Sequence, residues 1–195
     1  MSSRPASVSS SERPARRSGG VLLVLALFWL PALPVHAKVF HTRQEAIALA
    51  FPGADRVEKK TTILSPEQAA EIENRSRTKL DSKLVTIFTA WRSDELLGYV
   101  NIDVHTVRTH ASALMVVLNP SGEVRSVRLL AFHEPLDYMP SEKWYAQFAG
   151  KTREDRLRVG GDVHGVVNAT LSTRAASDGI RRVLAYHAVL IEAGD

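Results

Sequence analysis

The 195-residue chain contains no cysteine. That excludes thiolate catalysis, iron–sulfur clusters, thioether attachment of haem and cysteine-based zinc sites. Export usually permits disulfides, and this chain uses none. No Gly-x-Gly-x-x-Gly follows a strand, so a dinucleotide fingerprint is missing, and a P-loop is missing too. There is no Gly-x-Ser-x-Gly elbow for a hydrolase and no internal repeat. Aromatic residues make up only 7% of the chain, and most are expected in the core, where their area counts most.

The longest apolar run, from Val21 to Leu30, is shorter than the ~20 residues that span a bilayer. Arg13, Arg16 and Arg17 precede it, and Val35-His36-Ala37 follows Pro31 and Pro34. A positive segment, a short apolar segment and a small-x-small end read as an export signal, cut after Ala37. Retention as an amino-terminal membrane anchor is the alternative. Residues 1–18, rich in Ser, Pro and Arg, are expected to be disordered. The first 37 residues hold four arginines and one glutamate, so without them the net charge falls from +4 to +1. The basic balance is mostly a targeting feature and gives no argument for nucleic acid. Residues 38–195 are long enough for one domain with a sizeable core.

Local patterns give the elements of that domain. A helix is expected over 42–50, with Thr42 as cap and Glu45 three residues on. β-branched residues predict a strand over 55–64, and Ser65-Pro66 opens a polar helix that runs to about Arg77. Four strands follow at 84–91, 97–104, 113–118 and 123–130, joined by turns and buried on one face. After an irregular stretch with Pro135 and Pro140 comes a short helix over 141–148. The last helix, 171–191, carries an apolar stripe at Ala175, Ile180, Val183, Leu184, His187, Leu190 and Ile191. Gly179 inside it calls for a close helix–sheet contact, and Arg181 and Arg182 fall elsewhere on the wheel. The fold class is α+β: an antiparallel sheet packed by a long C-terminal helix and shorter helices.

Chemistry concentrates just before that helix. Gly160, Gly161 and Gly165 loosen the backbone, and Asn168 tolerates positive φ better than other non-glycine residues. Ala169 permits close approach of the main chain. Thr170, Ser172 and Thr173 place three hydroxyls on or near the first helical turn, where free N–H groups and the helix dipole favour a phosphate. The same residues also read as ordinary helix caps.

The run Asn168-Ala169-Thr170-Leu171-Ser172 resembles the flavinylation motif of FMN-binding domains. These occur in the covalently flavinylated subunits of sodium-pumping NADH:quinone oxidoreductase and Rnf complexes, and in small extracytoplasmic relatives. The order of elements from Tyr99 to Ala188 is similar as well: strand–turn–strand, a His-Glu-Pro loop, then a Trp-containing helix ending in Phe-x-Gly-Lys. The resemblance implies a covalent FMN in phosphoester linkage to Thr170. It also implies a flavin transferase that attaches FMN from FAD, a membrane or periplasmic redox partner, and an extracytoplasmic place of work. Asn168, Ala169, Leu171 and Ser172 would shape the phosphate end, with His164 near it. Glu134, Tyr138 or Trp144 would offer a wall for the ring. The chain departs from the family at His164, where Asp is expected, at Val167, where a small hydroxyl residue is common, and at Asn168, where Gly is common.

Other readings are weaker. A non-redox binding module of the same fold, holding FMN loosely or not at all, is the alternative. Ser172, His164 and Asp162 offer the residue types of a triad without its elbow. Asp103 and His105 share a strand face, but their spacing to His110 fits no standard zinc pattern, and both histidines read as surface or turn residues. His187 reads as a core or boundary histidine.

Overall fold

The computed structural model describes residues 38–39 and 43–193. The expected export signal at 1–37 and the expected cap Thr42 lie outside the described residues. Strands β1 (Lys38–Val39), β2 (Arg56–Ile63), β3 (Leu84–Arg92), β4 (Glu95–Thr106), β5 (Ala111–Leu118) and β6 (Val124–Phe132) form one antiparallel sheet. Their order is β1-β6-β5-β4-β3-β2. Strand β1 is too short to carry a periodic signal, and it pairs with Phe132 and Ala131 at the end of β6.

Helices α1 (Arg43–Ala50), α2 (Pro66–Ser76), α3 (Glu142–Tyr145) and α4 (Thr170–His187) complete the fold. A 3₁₀ turn, Ala146–Phe148, extends α3, and a π turn, Ala188–Glu192, extends α4. Ser65 starts α2 with a reciprocal box: its hydroxyl accepts from the Gln68 N–H, and the Gln68 side chain accepts from the Ser65 N–H. Two orphan donors are satisfied at once.

The expectation of a sheet buried on one face is corrected. Both faces of the central strands are covered. Val85, Ile87, Leu114 and Val116 pack with Ile180, Val183 and Leu184 of α4. On the opposite face Phe88, Val100, Met115 and Val117 pack with Ala46, Ile47 and Phe51. Strand β5 has five consecutive buried residues, Leu114 to Leu118. This explains why it reads as a continuous apolar run and not as an alternation.

Helix α4 runs antiparallel to β4. Gly179 lies against Asp103 and His105, and eight residues on His187 lies against Tyr99 and Gly122. The close contact expected at Gly179 is thus present. Arg181 and Arg182, off the apolar stripe, are nonetheless mostly buried. Arg181 donates to the carbonyl of Ser76 at 2.8 Å, and Arg182 reaches Asp103 on the sheet. Among the described residues no helix is long and apolar enough to cross a membrane.

Candidate functional site

The segment leading into α4 is held from behind by α3. The Trp144 indole N–H donates to the His164 carbonyl at 2.6 Å, and the His164 N–H donates to Gln147 Oε1 at 2.8 Å. Gln147 Nε2 in turn donates to the Trp144 carbonyl at 2.8 Å. Trp144 is buried, with Tyr145 and Phe148 packed edge-on against it, so its ring serves the core. Asp162 accepts from the N–H groups of Leu157 and Arg158 at 2.8 and 2.7 Å. Leu157 is fully buried with φ +48, and its carbonyl accepts from the Ser177 hydroxyl. A left-handed leucine is costly, and these bonds fix it.

Asn168 adopts φ +66, the left-handed conformation that its short polar side chain permits. Ala169 follows as the N-cap residue, 2% exposed, with φ −113° and ψ 23°. No side chain caps the helix. The first intrahelical bond runs from the Thr173 N–H to the Ala169 carbonyl at 2.9 Å. The N–H groups of Thr170, Leu171 and Ser172 therefore have no acceptor within the helix. None of the hydroxyls serves as the ordinary cap: the Thr173 hydroxyl donates to the Thr170 carbonyl at 3.0 Å.

Thr170 is exposed. Ser172 is 3% exposed, and its hydroxyl has no hydrogen-bond partner. Leu171 and Val167 are exposed, and so is the His164 side chain. No hydrogen bond joins any two of Asp162, His164 and Ser172, so they do not assemble as a triad.

Glu134 and Tyr138 belong to the loop after β6. Glu134 is buried, and its Oε1 accepts from the N–H groups of Arg108, Thr109 and His110 at 2.9–3.0 Å. Burial pushes its carboxyl up, but these three donors hold it down at about 2. Its carboxylate thus locks the β4–β5 turn. Tyr138 is half-buried beneath the Arg108 guanidinium, 5.3 Å from the ring centroid. Phe132 pairs with Ser112, and Ser112 with His105, which faces Gly179. Thr170 lies nine residues before Gly179, about 13 Å along the helix. The β4–β5 turn, the loop after β6 and the start of α4 therefore share one end of the sheet.

A second polar centre was legible only in part: the shared strand face of Asp103 and His105 was visible, and their partner Arg182 was not. Asp103 is buried and takes both Nε and Nη2 of Arg182, at 2.9 and 2.8 Å. His105 Nδ1 is 2.7 Å from Asp103 Oδ2. The surface reading of His105 is corrected: it is 7% exposed and faces α4, whereas His110 is exposed in its turn. Burial raises the Asp103 carboxyl, but hydrogen bonds from His105 and Arg182, with the Arg182 charge, hold it below the ordinary range. The signal available in the sequence was Asn101, Asp103 and His105 at every second position of one strand. Among the described residues no group of three or more His, Asp or Glu is placed to hold a metal ion.

No known family model and no curated protein matches this chain.

Proposed function

We propose that the protein is an extracytoplasmic electron-transfer flavoprotein that carries FMN in phosphoester linkage to Thr170. The carrying observation is the start of α4. Left-handed Asn168 and buried Ala169 lead into a helix that no side chain caps, with Thr170 exposed. Three free first-turn N–H groups and the helix dipole suit a phosphate. The orphan hydroxyl of Ser172 is a further unused polar group beside them. These residues fit the phosphodiester that would join Thr170 to FMN. Asn168 occupies the place where the similar family commonly has glycine, and it adopts the conformation that glycine would supply there.

Attachment is a transfer from FAD. The Thr170 oxygen bonds to the FMN phosphorus, the pyrophosphate bond breaks, AMP leaves, and the hydroxyl proton passes to solvent. Bound there, FMN supplies one- and two-electron redox chemistry. The protein's part is to hold the phosphate at the helix start and to keep Thr170 rigid through the α3 anchor. A covalent tether suits an exported carrier, because free FMN would be lost by dilution. The partners are the flavin transferase and a membrane or periplasmic redox protein. Purified protein co-expressed with a transferase should show flavin absorbance, and Thr170→Ala should remove it.

One observation favours a second reading, a non-redox binding module. A cleft lies along the other half of α4 and is not lined by Thr170.

A further inference from the structure

That cleft, of about 280 Å³, opens where the sheet forks. Strands β3 and β4 pair from Ile87↔Asn101 to Arg92↔Glu95. Beyond Asn101 they part: residues 84–86 pair only with β2, and residues 102–106 only with β5. Asn101 sits at the fork, and its Nδ2 donates to the Thr86 carbonyl at 2.8 Å. The other half of this amide has no such use. Asn101 is 6% exposed, and its Oδ1 is buried without a partner.

We propose that the fork is a binding site for a free α-amino acid. The carboxylate would meet Arg182 and Lys59, and the ammonium would meet Asn101 Oδ1 and Asp81. All four residues line the cleft. Arg182 uses only Nε and Nη2 on Asp103, which leaves both Nη1 hydrogens to donate. Tyr186 lines the same wall and adds a hydroxyl donor. Donors of positive charge and acceptors of negative charge thus face one small volume. A phosphate alone would confront Asp81 and Asp103, and a simple cation would confront Arg182 and Lys59. A zwitterion satisfies both signs. Leu80, Leu84 and Val104 supply apolar wall for an aliphatic side chain. The volume lies just under the about 300–1,000 Å³ typical of drug-sized ligands, which favours a single amino acid over a peptide.

This site stands apart from the flavin reading, since Arg182 lies twelve residues, about 18 Å along the helix, from Thr170. The test is calorimetric titration of the full exported protein with L-leucine, L-phenylalanine and L-serine. Leucinamide, which lacks the carboxylate, isocaproate, which lacks the ammonium, and inorganic phosphate are run beside them. At least one amino acid should bind saturably, with Kd on the order of 1 mM or tighter. Leucinamide, isocaproate and phosphate should bind at least about tenfold more weakly than the amino acid. Leu84→Trp, at an exposed rim position, should abolish binding while circular dichroism stays unchanged. Thr170→Ala should bind as the parent does. The proposal is overturned if none of the three amino acids binds, if phosphate binds as well as they do, or if folded Leu84→Trp retains full affinity.

Discussion

Gly179 of α4 sits so close to the Asp103 carboxylate on β4 that no side chain fits between them. Glycine is unfavourable by about 1 kcal/mol relative to alanine in a helix interior, so its presence here reflects the contact. Gly179→Ala gains that propensity but forces Asp103 and its bond to Arg182 to move. An overpacking cost of about 3 kcal/mol against a gain of about 1 leaves the variant about 2 kcal/mol less stable. Urea denaturation measures the difference, and a stabilised variant would contradict the contact.

The Asp103–Arg182 pair is buried on both sides, at 5% and 11% side-chain exposure. Removing one member leaves the other uncompensated, so Asp103→Asn should cost about 3–5 kcal/mol. Replacing both by apolar residues, Asp103→Leu with Arg182→Met, should restore most of that loss. A double variant as unstable as the sum of the single variants would show that the cluster does more than satisfy two charges.

Glu134 gives a pH dependence with a definite sign. Its carboxyl is lowered from the ordinary 4.5 to about 2 in the folded chain. A depressed carboxyl contributes stability that is fully present above the unfolded value and is lost as pH falls toward the folded one. Glu134→Gln should therefore lower the urea midpoint at pH 7. It should also reduce the further loss seen in the parent between about pH 5 and pH 2. Equal acid sensitivity in the two proteins would remove Glu134 from this role.

Left-handed Asn168 predicts opposite outcomes for two substitutions. Asn168→Gly should be nearly neutral and should keep flavinylation, because glycine reaches the same φ without penalty. Asn168→Val should lose roughly 1–2 kcal/mol and should impair attachment at Thr170. Thermal unfolding and flavin absorbance of the two variants check both statements.

Much of this architecture was legible locally. Ser65 and Pro66 mark the start of α2, the apolar run at 114–118 marks β5, and Asn168 marks a left-handed step, because few other residues adopt it readily. The spacing of Ile180, Val183, Leu184 and His187 marks the inner face of α4. The pairing of Arg182 with Asp103 was hidden for a physical reason. Arg182 lies off the apolar stripe of its helix, and Asp103 stands 79 residues away. Only the fold brings them together. His105 was likewise judged from its neighbours in sequence, and its burial comes from α4, which the strand pattern cannot reveal. The uncapped start of α4 is intermediate: the hydroxyls were visible, but their failure to cap depends on the backbone at Ala169.

Intact mass spectrometry of the protein, purified from cells that contain a flavin transferase and flavinylate their exported proteins, tests the central claim most directly. The predicted result is a mass increase of one FMN less one water, mapped by fragmentation to Thr170 and absent from Thr170→Ala. An unmodified, colourless polypeptide from those cells would contradict it.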